Sequence, residues 1–299
     1  MAAAAQAPSR RAFDGAFLRK LEYLHIVARK VISGRVRAER RSRRIGAGLE
    51  FADHRAYAPG DDLRILDWNL YGRLDRLLVR LFQEEEDLSI DVLCDTSRSM
   101  VASDPGKLDY AARVAAALCY IGLANLDRVS VQAFSDGLGD RLPPGRGKGR
   151  IFKVLEFLAA LPAGGPTRME QAMAAFAHRT RRRGVAIVIS DFYDPGYAAG
   201  LNLLRYHRFE PCVVQVLEER EPALGVRGDV ELVDCETGEA RDLTLSPRLV
   251  AAQRRAQARW LAELETFCRS RQIPFARAST AVPFEDLVLR LLRSGGLLR

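Results

Sequence analysis

From residue 87 onward, short runs of almost wholly apolar residues alternate with stretches of helical length and periodicity. No other feature restricts the possible folds as much. The runs at 88–94, 128–134, 185–190, 211–217 and 273–278 have strand length and are too short for buried helices; 128–134 alternates Val129, Val131 and Ala133 with polar residues, whereas 185–190 and 211–217 are apolar nearly throughout. Strands buried on both faces read this way, and they belong to parallel sheets covered by helices on each side. Helices are expected at 105–125, 149–160, 168–182, 196–207, 247–271 and 283–293, with Asp104 and Ser246 as N-caps and Pro105 and Pro247 in first turns. The expected fold class is therefore α/β: a doubly wound, mostly parallel sheet with helices on both faces. One stretch departs from the pattern. Residues 230–245 form two short extended runs around Glu236-Thr237-Gly238-Glu239 and read as a hairpin insertion.

The region before the alternation has a different character. Residues 13–33 carry Phe17, Leu18, Leu21, Leu24, Ala28, Val31 and Ile32 on one face, with Asp14 at the start and Gly34 at the end, the pattern of an amphipathic helix. Residues 35–44 contain six arginines and read as an exposed basic linker or strand edge. The first fifty residues hold 12 Lys/Arg against four Asp/Glu, which accounts for the whole net charge of +8 and leaves the rest of the chain neutral. Residues 50–73 are too charged for core and too rich in Phe51, Tyr57, Ile65, Leu66 and Trp68 for a free loop, so an ordered platform is expected there. Asp67 should open a short helix, and Arg55, Asp61, Arg64, Asp67 and Arg73 are candidates for an ion network bordering a partner-binding surface. The expected division is 1–45 as a basic helix and arm, 46–87 as the platform and 88–299 as the main domain.

At 299 residues the chain can bury a full core without metals or disulfides. Its five cysteines, Cys94, Cys119, Cys212, Cys235 and Cys268, are scattered and fit reduced thiols better than a disulfide framework or CxxC metal spacing. No run approaches the roughly 20 apolar residues of a membrane span, and the start lacks the order of a secretory signal, so a cytoplasmic location is expected.

In such a sheet, ligands bind beyond the carboxyl ends of the strands where strand order reverses. Oxygen-bearing residues collect at those ends. Asp95-Thr96-Ser97-Arg98-Ser99 follows the run 90–94, Asp191 follows the run 185–189, and Thr167 follows Gly164-Gly165-Pro166 at the entrance to a helix. Two carboxylates and three hydroxyls suit a hard divalent cation, Mg²⁺ first, with Mn²⁺ or Ca²⁺ as competitors, and leave a coordination position open for a carboxylate from another chain. The competing reading is that Asp95 and Ser97 only cap the next helix. A DxSxS string arises by chance in about one chain in twenty of this length at ordinary residue usage. The weight therefore falls on its position and on Thr167 and Asp191 following in order.

This arrangement resembles the metal-ion-dependent adhesion site of the von Willebrand factor A fold, with Asp95, Ser97 and Ser99 as the first loop, Thr167 the second and Asp191 the third. Phe134-Ser135-Asp136 at the end of the second strand is similar to that fold as well. The stretch from Glu50 through Tyr57-Ala58-Pro59-Gly60-Asp61-Asp62 and Asp67-Trp68 to Arg73, followed by Asp95 to Met100, resembles the signature of the bacterial domain-of-unknown-function 58 family. That resemblance implies a von Willebrand A-like domain working beside a MoxR-type AAA+ ATPase in chaperone-like assembly or remodelling of other proteins. Many members carry membrane helices ahead of the signature, whereas this chain has the basic helix and arm.

Two other functions compete. The basic arm could bind nucleic acid, but no aromatic residue is interleaved with the arginines and no reader motif appears. A phosphohydrolase with Asp95 as nucleophile would resemble the haloacid dehalogenase group, which places a second acid two residues on; here that position is Ser97. Residues 144–150 lack the Ser/Thr after Lys of a phosphate-binding loop, and no Ser-His-Asp or Cys-His set is evident, so no catalysis is expected. A filter-binding titration at low salt is expected to detect no nucleic-acid affinity; retention that falls steeply with salt would restore that reading.

Overall fold

The computed structural model describes residues 13–39, 45–46, 50–83, 88–102, 106–162, 164–218 and 228–293. The chain forms two compact units, residues up to Ile32 together with Leu88–Leu298, and Ser33–Asp87. Helix α1 (Gly15–Glu39) begins where Asp14 Oδ1 accepts the Phe17 N–H at 2.8 Å. Phe17, Leu21, Leu24 and Ala28 are buried at the spacing of one helical stripe. The helix runs six residues beyond the expected end, through Gly34, so 35–39 is helix where a linker was expected. Arg, Ala and Glu are strong helix formers, and one interior glycine costs only about 1 kcal/mol against alanine. The remainder of the basic run, 40–44, lies outside the described residues.

In the smaller unit, β1 (Ile45–Gly46), β2 (Glu50–Ala56), α2 (Trp68–Leu74) and β3 (Leu78–Gln83) build an antiparallel sheet of order β1-β3-β2 with one short helix. Asp67 caps α2 as expected, accepting the Asn69 and Leu70 N–H groups. Its other oxygen accepts from Arg80 Nε at 2.8 Å and lies 3.0 Å from His54 Nε2. His54 and Arg80 are paired across β2 and β3, and this register brings both to Asp67. The single network expected among Arg55, Asp61, Arg64, Asp67 and Arg73 is instead a set of local pairs. Arg55 holds Asp61 and Arg64 holds Asp62, each at 2.8 Å, while exposed Arg73 makes no ion pair among the described residues. Each carboxylate takes the nearest donor, and pairs this exposed are worth little individually.

The larger unit is built on a six-stranded sheet. In chain order it comprises β4 (Ser89–Asp95), α3 (Arg98–Val101), α4 (Lys107–Ala124), β5 (Arg128–Phe134), β6 (Leu138–Gly145), α5 (Ile151–Ala159), α6 (Met169–Arg179), β7 (Val185–Ser190), α7 (Tyr197–Tyr206), β8 (Glu210–Leu217), the hairpin β9 (Gly228–Val233) and β10 (Ala240–Leu245), α8 (Pro247–Ser270), β11 (Phe275–Ser279) and α9 (Phe284–Arg293). The strand order is β11-β8-β7-β4-β5-β6, parallel except for β6. The expected Asp104 cap lies outside the described residues, whereas Ser246 caps α8 through the Leu249 N–H. Strand β6 was not expected. Its Pro143-Pro144 pair argues against a strand, but an edge strand tolerates missing donors. No helix is long and apolar enough to cross a membrane among the described residues.

Alternation along β4 divides the core. Ile90, Val92 and Cys94 pack with residues of α1, α4, α5 and α9, while Leu93 joins Phe134, Met173, Phe176, Leu201, Leu204 and Leu264 on the other face. Cys94, Cys119, Cys212 and Cys268 are buried free thiols, and Cys235 is exposed. Helix α4 lies close on the sheet at Gly122, where a Cβ would come within 2.8 Å of Ile90 Cδ1 and 2.9 Å of Val129 Cγ2. Gly122→Ala is therefore expected to destabilise the chain by about 1–3 kcal/mol, as overpacking does. Urea unfolding with an unchanged m-value would measure it.

Candidate functional site

After β4 the chain adds β5 and β6 on one side, then crosses to place β7, β8 and β11 on the other. The strand order therefore reverses at β4 and β7, and the crevice at their carboxyl ends is the ligand position of a doubly wound sheet. Asp95 ends β4, and Asp191 directly follows β7. Pairing of Cys94 with Ile189 sets the tops of these strands level. Ser190 Oγ donates to Asp95 Oδ2 at 2.5 Å, and the Ser97 N–H donates to Asp95 Oδ1 at 2.9 Å.

Backbone contacts hold three loops around the crevice. The Thr96 N–H and hydroxyl both donate to the Phe134 carbonyl, fixing the first loop to the top of β5. That loop grips the glycine loop twice, with the Gly164 N–H on the Thr96 carbonyl at 2.9 Å and the Arg98 N–H on the Gly165 carbonyl at 3.0 Å. Gly164 and Gly165 have φ values of +140° and +82°, which L side chains rarely adopt, so the pair is needed to aim Thr167. In the third loop the buried Phe192 has φ +61°, an uncommon conformation outside glycine. It lets Asp191 Oδ1 accept the Tyr193 N–H at 3.2 Å, while Gln215 Nε2 donates to the Asp191 carbonyl.

Asp95, Ser97, Ser99, Thr167 and Asp191 are thus gathered at one end of the sheet, with Asp95, Ser97 and Ser99 buried. Ser97 Oγ and Ser99 Oγ share a hydrogen bond at 3.0 Å. Two oxygens bound in octahedral array to one cation at about 2.0–2.1 Å stand roughly 3 Å apart, so the two hydroxyls have the spacing of neighbouring ligands. The donors are oxygens throughout, and no group of three or more His, Cys, Asp or Glu poised for a metal occurs among the described residues. Oxygen donors of this kind are the type a hard cation takes. Burial, and then the nearby charge of Asp191, push the Asp95 carboxyl up to about 7, against hydrogen bonds from Ser190 and Ser97 that pull it down.

Three residues of the site were not anticipated. Ser190 is the donor to Asp95 described above. Lys107, at the first turn of α4 and 5% exposed, donates from Nζ to Asp191 Oδ2 at 2.7 Å. Asp191→Ala would strand this buried ammonium at a cost of about 3–5 kcal/mol, so truncating Asp191 is expected to destabilise the fold as well as alter the site. The third is Glu236, at the tip of the β9–β10 hairpin. Its Oε2 accepts the Thr167 N–H at 2.7 Å, and its Oε1 accepts the Ser99 N–H at 3.2 Å and the Thr167 hydroxyl at 3.3 Å. Arg98 Nη1 holds the Glu236 carbonyl at 2.9 Å. The turn signal at 236–239 was legible, but nothing in the sequence ties residue 236 to residues 99 and 167.

The family model described as "Protein of unknown function DUF58" matches residues 53–261, a span that takes in most of the platform and every residue of this site. The chain belongs to the DUF58 family. Its relatives include "Uncharacterized protein Rv1480" of Mycobacterium tuberculosis, 29% identical over 264 residues and covering 76% of this chain and 81% of the relative. "Uncharacterized protein MAV169" of Mycobacterium avium is 29% identical over 145 residues, covering 48% and 85%. Among solved structures, BatB from Bacteroides thetaiotaomicron is 14% identical with a TM-score of 0.44, covering 69% of this chain and 98% of BatB. A von Willebrand factor type A structure from Catenulispora acidiphila is 18% identical with a TM-score of 0.34, covering 47% and 35%. The von Willebrand A-like arrangement of this DUF58 chain is read from its own strand order and loop positions.

The raised Asp95 carboxyl has a consequence for the stability of the chain without a bound cation. From about pH 4 to about pH 7 the folded chain retains a proton that the unfolded chain has lost, so stability falls as pH rises through that window. Thermal unfolding in EDTA is expected to show a lower Tm at pH 7.5 than at pH 5, with a smaller fall in Asp95→Asn. A divalent cation held by the Asp95 carboxylate would raise the wild-type Tm more at pH 7.5 than at pH 5; an equal gain at both would contradict this.

Proposed function

We propose that this chain is a metal-dependent protein-interaction module, in which Asp95, Ser97, Ser99, Thr167 and Asp191 hold a divalent cation directly or through water. Mg²⁺ is the first choice, with Mn²⁺ and Ca²⁺ as competitors. The observation that carries the reading is the 3.0 Å spacing of the Ser97 and Ser99 hydroxyls beside the buried Asp95, with a carboxylate, Glu236, received on the adjoining Ser99 and Thr167 amides. When bound, the cation supplies a Lewis-acidic contact for a carboxylate oxygen of a partner protein. The Ser99 and Thr167 N–H groups, which donate to the two separate oxygens of the Glu236 carboxylate, would orient such a carboxylate in the same way. Asp95 sets the geometry of the first loop through the Ser97 N–H, and Ser190 holds the other Asp95 oxygen in place.

Family resemblance is what points to a MoxR-type AAA+ ATPase and its client as the partners, and to chaperone-like assembly or remodelling in the cytoplasm as the setting. The platform residues Arg55, Asp61, Arg64, Asp67 and Arg73 belong to this proposal as a second contact surface. No catalytic step is assigned, since Asp95 has no acid two residues on to serve as its proton donor.

Calorimetric titration with Mg²⁺ or Mn²⁺ is expected to give one site in the wild type, none in Asp95→Ala, and binding weakened about three- to tenfold in Thr167→Ala, because a hydroxyl contributes less to a cation than a carboxylate does. A purified MoxR-type ATPase should be retained by the immobilised wild type in Mg²⁺ and released by EDTA. Retention unchanged by EDTA or by Asp95→Ala would sink the metal-dependent reading.

A further inference from the structure

The carboxylate received at the site comes from the chain itself. Asp234 builds the turn that presents it, accepting the Glu236 N–H at 2.8 Å through Oδ1 and the Gly238 N–H at 2.8 Å through its carbonyl. Gly238 at φ +76° closes the turn. The strands behind the tip are mostly exposed; Leu245 is the one buried residue of the two strands. Two-stranded hairpins are marginal by themselves, so contacts at the tip matter for where this one rests. At the tip, four hydrogen bonds run from Arg98, Ser99 and Thr167 to Glu236, three of them to its carboxylate. Glu236 Oε1 lies 3.3 Å from Thr167 Oγ1, close to the roughly 3 Å expected for two oxygens sharing one cation.

We propose that Glu236 is a ligand this chain supplies to its own site, and that a partner binds by exchanging a Glu or Asp carboxylate of its own for it. This rests on the reading of the site given under Proposed function. The exchange breaks no covalent bond and moves no proton. The external carboxylate takes over the Ser99 and Thr167 N–H donors, and the hairpin tip leaves with Glu236. Arg98 is the positioning residue, since it grips the backbone carbonyl of the acidic residue and not its side chain. The partner so defined carries an acidic residue at an exposed turn, with its backbone carbonyl free for Arg98. A tip already held by its turn and by Arg98 acts at an effective concentration well above the millimolar of a short flexible tether, so simple external carboxylates do not displace it, and a partner needs further contacts or multivalency to do so.

The test uses the full chain and acetate, the fragment removed in Glu236→Ala. Amide hydrogen exchange is followed at Ser99 and Thr167, with the amides of β4 and β7 reporting that the core is intact. In Mg²⁺, Glu236→Ala is expected to exchange at least tenfold faster at both site amides and at wild-type rates in the two strands. Tens of millimolar acetate, against chloride at equal ionic strength, should slow the variant back toward wild type and leave the wild type unchanged. Glu236→Gln keeps the turn and a neutral acceptor; it should fall between the two and respond to acetate at least tenfold more weakly than Glu236→Ala. Unchanged site-amide exchange in both variants would overturn the proposal, as would acetate acting equally on variant and wild type. Rescue that proceeds equally in EDTA would keep Glu236 as the self-supplied ligand and remove the metal. Intact Mg²⁺ binding in the wild type with no effect of Glu236→Ala on the amides would keep the metal and remove the self-supplied ligand.

Discussion

The site depends on the level pairing of β4 with β7, which sets the ends of two central strands side by side and brings Asp95 and Asp191 out of them as buried neighbours. Two carboxylates taken from water so near each other are costly unless positive charge or donated hydrogen bonds answer them. Much of the surrounding structure does this. Ser190 and the Ser97 amide serve Asp95, Lys107 serves Asp191, and the left-handed Phe192 turns the third loop so that an amide reaches Asp191 as well. A one-residue slip of β7 against β4 would reverse the faces on which its side chains lie and separate the pair, so the apolar alternation that sets the core also sets the charge geometry.

The sheet was legible because buried parallel strands leave a signature that depends on local composition. Apolar-rich runs of strand length, alternating with helical stretches such as the one Ser246 caps, can be placed without knowing what they touch. Asp95, Thr167 and Asp191 were legible for a related reason: each sits at, or within two residues of, a strand or helix end, and strand ends in such a sheet gather at one rim. Where reading failed, the deciding interaction was remote or ran against local propensity. The six extra residues of α1 run through a glycine that normally marks a stop. Strand β6 forms in spite of two prolines because it lies on an edge. The charges of 55–73 were grouped by proximity in sequence, yet Asp67 is answered by Arg80 and His54, which only the β2–β3 register brings together. Lys107 and Glu236 are 84 and 137 residues from the partners they meet at Asp191 and Ser99, and no local pattern announces either contact.

The hairpin also bears on the proposed recognition of other chains. An insertion between β8 and α8 would ordinarily be an exposed decoration tolerated by the fold. Here its tip meets the rim where the glycine loop, the first loop and the third loop converge. Under the proposed reading, the residues that determine what enters come from four separate segments of chain, and specificity would change by editing the insertion while the oxygen-bearing loops stay as they are.

Strand β6 has a further consequence, for solubility. An open sheet edge is a template on which other extended chains can add and aggregate. On this edge Pro143 and Pro144 offer no N–H donors, and the Pro143 carbonyl is already taken by Arg150 Nη2. Asp140 and Arg141 place opposite charges along the same strand. A passing β-strand thus finds few groups to pair with here, and the edge is guarded against runaway lateral growth of the sheet.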